Sequence, residues 1–228
     1  MSYVFPAPAR PILAVVGSVD VFPIHRIYCV GRNYADHAME MGHDPNREQP
    51  FFFQKNPDSI LPSGGKFRYP EKTAEVHHEI ELVVGLDRGG TNINASEAIE
   101  LIYGYAVGLD MTRRDLQAKL KAKGRPWEIG KAFDNAAPCS AILQAKEIGH
   151  PSEGRICLEK NGMICQNGDL ADMIWKVPEI ISFLSGFFSL LPGDLIFTGT
   201  PAGVGPVSRG DSLCGFIEDI GELDIKVI

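Results

Sequence analysis

The sequence has no C-x-x-C spacing, no apolar run long enough to cross a bilayer and no stretch of low complexity. Its five cysteines (Cys29, Cys139, Cys157, Cys165 and Cys214) form an odd set without ligand spacing. This argues against a disulfide framework or a zinc ribbon, suits a reducing cytosol and leaves the cysteines as small core residues. The longest apolar segment, around residues 180–191, falls far short of the roughly 20 residues that a membrane-spanning helix needs. The N-terminal apolar run, residues 12–16, lacks a charged n-region and is too short for a signal peptide, so a cytoplasmic protein is expected. Positive charge is also scarce, with 22 Lys and Arg against 29 Asp and Glu and a formal net charge of −7. Such a chain matches a polyanion poorly, so neither nucleic acid nor an anionic membrane is an expected partner.

Several catalytic signatures are missing as well. There is no G-x-S-x-G nucleophile elbow and no G-x-x-x-x-G-K-[ST] phosphate loop. His78-Glu79 begins like H-E-x-x-H, but Leu82 stands where the second histidine is needed and the run is strand-like. The Gly-rich segment 198–205 follows a strand pattern, carries no lysine and precedes no helix. Serine hydrolase, NTPase, dinucleotide-binding and zincin readings all fail.

What the chain has in excess is Gly (24) and Pro (16), above average usage of roughly 7% and 5%. Without low complexity, that excess predicts many turns. Residues 12–16 and 19–21 around Gly17-Ser18 predict a hairpin closed by a two-residue turn. Residues 27–30 predict a strand stopping at Gly31, and 33–42 a short helix capped by Asn33 and closed by Gly42. A strand over 51–55 puts Phe51, Phe53 and Lys55 on one face, and further strands are expected over 79–86 and 103–110. A helix over 112–124 has Thr112 and Asp115 spaced as a capping box and Gly124 at its end. Pro178 opens another, with Ile180, Ile181, Leu184, Phe187, Phe188 and Leu191 at helical spacing and Pro192-Gly193 as its stop. The mixture is that of one α+β domain, mostly strand, with residues 1–24 as a hairpin extension packed on a catalytic domain over 25–228.

Glu79 and Glu81 are two apart in a predicted strand, so both carboxylates share a face and repel unless a cation or proton lies between them. Alone, the pair reads first as a solvated strand face. In the run 104–110 one face carries Gly104, Ala106, Gly108 and then Asp110, three small residues leading to a carboxylate, which are expected to leave open space for something to approach the backbone closely. Asp110 would complete an all-carboxylate site of the kind that takes Mg²⁺ or Mn²⁺. His37 and Glu40, three apart on the short helix, suit water activation, because a carboxylate beside an imidazole raises its basicity; a surface His–Glu pair would look the same. Of His77 and His78, at most one can face the Glu pair. Lys119, Lys121 and Lys123 read as a solvated face, Arg113 or Arg114 can reach a substrate carboxylate, and Lys55 and Lys131 are candidates for partly buried cations.

The segments Tyr28-Cys-Val-Gly-Arg-Asn-Tyr-Ala-Asp-His37, His77-His-Glu-Ile-Glu81, Gly108-Leu-Asp-Met-Thr-Arg-Arg-Asp115, Gly130-Lys131 and Phe197-Thr-Gly-Thr-Pro-Ala-Gly-Val-Gly205, in this order, resemble the fumarylacetoacetate hydrolase superfamily. The resemblance runs from about residue 25 onward, and the length is similar to that of the compact acylpyruvate and fumarylpyruvate hydrolases. It implies a strand-rich mixed β-roll and a homodimer. It places metal ligands at Glu79, Glu81 and Asp110, the water-activating pair at His37 and Glu40, and a lysine facing the substrate's oxygens at Lys131. Thr200 falls on the residue that binds the substrate carboxylate, and Arg114, Asp115 and Gln117 also fit the pattern. Arg113 stands where many relatives carry a small residue.

The resulting expectation is hydrolysis of a carbon–carbon bond in a 2,4-dioxo acid, with fumarylpyruvate giving fumarate and pyruvate in aromatic-compound catabolism. Arg32 or Arg114 would hold the distal carboxylate. Oxaloacetate decarboxylation and isomerisation of 2-hydroxyhepta-2,4-diene-1,7-dioate are the enzymatic alternatives. A metal-dependent binder of 2-oxo acids would keep the three carboxylates without needing His37 and Glu40.

Overall fold

The strands Ile80–Leu86 and Ile102–Leu109 are apolar almost throughout because both of their faces are covered. They pair antiparallel from Ile80↔Leu109 to Leu86↔Ile102. In the computed structural model, which describes residues 3–35 and 48–228, they form the middle of an eight-stranded mixed sheet. Its order is Phe51–Lys55, Ile27–Gly31, Leu195–Phe197, Ile80–Leu86, Ile102–Leu109, Ala137–Cys139, Ile60–Pro62, with Leu143–Gln144 also paired to Ile102–Leu109. A five-stranded sheet runs Met163–Asp169, Arg155–Lys160, Ser212–Ile217, Gly221–Val227, Lys66–Phe67. Thr112–Arg113, Val76–His78 and Gly205–Val207 make a small third sheet.

The two-residue period sorts the central strands between two cores. Leu82, Val84, Tyr105 and Val107 face the larger one, shared with Ile156, Leu158 and Leu223 of the five-stranded sheet and Ile180 and Leu184 of the helix Val177–Ser185. Val83 and Ala106 face the smaller one, with Cys29, Cys139, Phe197 and, from the N-terminal hairpin, Leu13 and Phe22. Glu81 continues the smaller-core face to its end, so the site grows out of an apolar layer. The class is α+β and mostly strand, as expected. Among the described residues no helix is long and apolar enough to cross a membrane.

Several local expectations are corrected. The hairpin forms, but its last pair is Ala14↔Val21, so the connection is longer than two residues: Val15 leaves the ladder to bridge Ile142. The helix expected from residue 112 begins at Arg114. Thr112 and Arg113 are instead strand residues opposite His77 and Val76, and the Asp115 carboxylate accepts from Thr73, Ala74 and Leu116 rather than closing a capping box. The helix opened near Pro178 closes at Ser185, before Pro192-Gly193, and leaves Phe187 exposed. Of the helix expected over 33–42, residues from 36 onward lie outside the described residues. Asn33 is used differently: its amide donates to the carbonyls of Trp175 and Thr198 and accepts from the Trp175 N–H, tying three segments together.

Candidate active site

Glu81 stands opposite Gly108 in the central ladder, and Asp110 follows the end of the neighbouring strand. Glu79 lies just before its strand, where its carbonyl accepts the Asp110 N–H at 2.8 Å and extends the pairing by one step. That bond holds the third carboxylate beside the other two. One oxygen from each lies within 4.8 Å of the others, and none of the three residues is more than 5% exposed.

Three buried carboxylates need compensation. Lys131 Nζ donates to Glu79 Oε2 at 3.0 Å, Asp110 Oδ2 at 2.7 Å and Thr112 Oγ1 at 2.7 Å. Lys55 Nζ lies 2.8 Å from Asp110 Oδ1 and donates to the carbonyls of Met111 and Lys131. Arg114 pairs with Glu79 Oε1 and also donates to Gln117 and His77. Burial opposes the charge on Lys131, yet the Asp110 and Glu79 carboxylates outweigh it and raise its pKa. Glu81 is different. Its Oε2 accepts the Gly199 N–H at 2.8 Å, but no cation among the described residues lies within ion-pair distance. Burial, with Asp110 and Glu79 alongside, pushes its carboxyl well above the usual carboxylate range. An oxygen-only set of this kind, with one member lacking a counter-charge, fits a hard divalent cation such as Mg²⁺ or Mn²⁺.

The Gly199 contact depends on glycine. Its φ is +96°, and a Cβ there would sit 2.7 Å from Asn33 Cβ. Expected open space beside Asp110 is not found at Gly104 and Gly108. A Cβ on Gly104 would meet the Leu143 carbonyl at 2.2 Å, and one on Gly108 would meet Val83 and Phe197 side chains. Those glycines admit protein packing, not a ligand.

Above the carboxylates, one pocket is lined by Arg32, Arg114, Gln117, Lys131 and Thr200, together with the aromatic group Phe51, Phe53 and Trp127. Every sequence-predicted site residue within the described chain thus meets in one place, while His37 and Glu40 lie outside the described residues. All three N–H groups of Lys131 are spent on protein acceptors. Lys55 belongs to the site as the second partner of Asp110. Lys121, expected on a solvated face, also lines the pocket, and its amine is held below its ordinary range by partial burial and by Arg32 and Arg114. His77 pairs with Glu75 and accepts from Arg114; His78 bonds Gln166, and burial holds its pKa down to about 4, so it is neutral at pH 7. Gln166 and Trp127 were not expected from the sequence, since neither lies in a motif of the site.

The family model for the fumarylacetoacetate (FAA) hydrolase C-terminal region matches residues 26–228. A fumarylpyruvate hydrolase from Pseudomonas aeruginosa, solved in complex with Mn²⁺ and pyruvate, is 49% identical to this chain. It superposes with a TM-score of 0.97 over 100% of this chain and 99% of that one. A fumarylpyruvate hydrolase from Ralstonia sp is 45% identical over 81% of this chain and 95% of its own. A mitochondrial oxaloacetate tautomerase from Arabidopsis thaliana is 41% identical over 89% of this chain and 90% of its own.

Proposed function

The chain belongs to the fumarylacetoacetate hydrolase family, and we propose that it hydrolyses 2,4-dioxo acids with a divalent metal, taking fumarylpyruvate to fumarate and pyruvate. The observation that carries this reading is the charge arrangement of the pocket. Glu79, Glu81 and Asp110 are matched by Lys55, Lys131 and Arg114, so a bound divalent ion leaves the floor net positive. Arg32 and Lys121 add positive charge at the rim. A slender anion with carboxylates at both ends complements both regions, and the two fumarylpyruvate hydrolases among the relatives support it.

Mg²⁺ or Mn²⁺ held by Glu79, Glu81 and Asp110 would polarise the 1-carboxylate and 2-oxo oxygens of the substrate. Thr200 donates a hydrogen bond to the carboxylate. His37, oriented by Glu40, takes a proton from a water that attacks C4; this assignment rests on the resemblance of the motif ending at His37. The C3–C4 bond then breaks, its electron pair remaining on the pyruvate half as an enolate that is protonated at C3. Lys131 stabilises that negative charge through its own charge, since its N–H groups are committed. Arg32, with Lys121 beside it, holds the distal carboxylate; Arg114 is fixed on Glu79 and Gln117. The exposed apolar residues Ile12, Val19 and Val21 of the hairpin suit the homodimer that the resemblance implies.

The tautomerase relative favours a second reading, proton transfer on oxaloacetate, which uses the same floor and needs no attacking water. A panel of fumarylpyruvate, maleylpyruvate, acetylpyruvate and oxaloacetate with Mg²⁺ and Mn²⁺ separates the two, scored by pyruvate release and by loss of enol absorbance. Fumarylpyruvate is expected to give the highest kcat/KM, and His37→Ala to lower it by about 10²–10⁴-fold. Enol–keto conversion of oxaloacetate without pyruvate release from any dioxo acid would establish the second reading instead.

A further inference from the structure

Gln166 belongs to the five-stranded sheet, is 1% exposed and does not line the pocket. Its amide nevertheless reaches the site. Oε1 accepts the Ile80 N–H at 3.0 Å and lies 3.0 Å from His78 Nδ1. Nε2 lies 2.8 Å from Thr200 Oγ1 and donates to the Pro201 carbonyl at 2.9 Å. Two of these partners have fixed polarity: a peptide N–H only donates and a carbonyl only accepts. The amide oxygen must therefore face Ile80 and the nitrogen Pro201, because the flipped amide would set N–H against N–H and oxygen against oxygen.

The other two partners follow by necessity. His78 must carry its proton on Nδ1 to donate to an oxygen already receiving Ile80. That leaves a bare lone pair on the buried Nε2, the atom with no hydrogen-bond partner among the described residues. Thr200 Oγ1 must accept, since both amide hydrogens point outward from Gln166. With its acceptor side occupied from behind, the Thr200 hydroxyl has its single hydrogen left for the pocket it lines.

We propose that Gln166 is a positioning residue that fixes the Thr200 hydroxyl as a hydrogen-bond donor to the substrate's carboxylate. The inference rests on the reading of Thr200 given above. A free hydroxyl rotor donates or accepts with equal ease; held from behind, it is preset for an anionic oxygen before the substrate arrives, which removes a cost of binding.

The test uses the Mn²⁺-loaded full chain, with pyruvate binding by calorimetry and steady-state kinetics on fumarylpyruvate. Thr200→Val is expected to weaken pyruvate binding by about 10-fold or more, the effect of losing one hydrogen bond to a charged group. Gln166→Met and Gln166→Glu should raise the pyruvate Kd and the KM comparably with little change in kcat; in Gln166→Glu an ionised carboxylate would draw the hydroxyl proton back from the pocket. In the double variant Gln166→Met/Thr200→Val, binding should be no weaker than in Thr200→Val alone. Additive losses, or a fall in kcat as large as the rise in KM, would reduce Gln166 to a structural role and overturn the proposal. If Thr200→Val binds pyruvate normally, the reading of Thr200 itself fails, a distinct result. The ¹⁵N shifts of His78 in the unaltered protein need no variant to fold: a proton on Nδ1 is expected, and a proton on Nε2 would refute the amide polarity.

Discussion

At the floor of the pocket every charged group except Glu81 is held from several sides, whereas at its rim the charges rest on few contacts. Asp110 is bracketed by Lys55 on one oxygen and Lys131 on the other, and Glu79 by Lys131 and Arg114. Arg32, by contrast, lies 5.3 Å above the Phe51 ring and 4.0 Å from an exposed Glu48. Phe51, Phe53 and Trp127 meet at centroid distances of 5.5 and 6.2 Å without any ion pair of their own. The floor belongs to the strand register, so altering it disturbs the fold or the metal. The rim is an overlay that can change with little cost to stability. On this view the floor carries the chemistry that hydrolysis and tautomerisation share, and the rim decides which acid is accepted.

The largest effect is expected at Glu81, the floor carboxylate without a counter-charge among the described residues. Glu81→Gln keeps the shape and the Gly199 N–H bond but removes a metal-binding charge. Activity with Mn²⁺ should fall by about 10³-fold, equivalent to roughly 4 kcal/mol of barrier, while the thermal midpoint without metal should hold or rise, because a destabilised buried charge is gone. Calorimetric titration with Mn²⁺ checks the cause. Unchanged Mn²⁺ affinity would remove Glu81 from the ligand set.

Lys55 tests the same floor through stability. Lys55→Met leaves Asp110 Oδ1 without its cation in a buried site, which costs about 3–5 kcal/mol when one partner of a buried pair is deleted. For a chain of this size, that corresponds to a thermal midpoint lower by on the order of 10 °C. Lys121→Met at the rim should move stability by no more than about 0.5 kcal/mol. Equal effects at the two positions, read by thermal denaturation, would erase the distinction between floor and rim.

The floor was also the more legible part of the sequence. Period-two spacing put Glu79 and Glu81 on one face and Asp110 at the end of the small-residue face of another strand, and register did the rest. Glu79 and Asp110 each lie one step outside their strands, and the hydrogen bond from the Asp110 N–H to the Glu79 carbonyl extends the pairing to hold them there. The same periodicity misled at Gly104 and Gly108: it identified the face correctly but could not say that Leu143, Val83 and Phe197 fill it. Thr112 read as a helix cap because its spacing to Asp115 is right, yet pairing with His77 draws it into a strand and frees its hydroxyl for Lys131. Gln166 and Trp127 were hidden because their partners come from other sheets and loops. A tertiary contact between residues 34 apart in sequence, such as Gln166 and Thr200, leaves no local pattern.

Arg32 joins floor and rim, because its side chain lines the rim while its backbone directly follows the strand Ile27–Gly31 of the sheet that carries the floor. Its φ is +57°, in the left-handed region that costs a non-glycine residue roughly 1–2 kcal/mol. Arg32→Ala and Arg32→Gly both delete the guanidinium, so both should raise KM for fumarylpyruvate by about 10-fold, the effect of losing one charge-assisted hydrogen bond, and leave acetylpyruvate, which has no distal carboxylate, unaffected. They should differ in stability. Arg32→Ala keeps the strained backbone, whereas Arg32→Gly relieves it at the cost of some chain entropy, for a net advantage of about 1 kcal/mol or 2–4 °C in thermal midpoint. Matching kinetics with separated midpoints would show that the strain is borne to aim a cation at the substrate. Matching midpoints would mean that the left-handed turn is held without cost by its surroundings, and that Arg32 is as inexpensive as the rest of the rim.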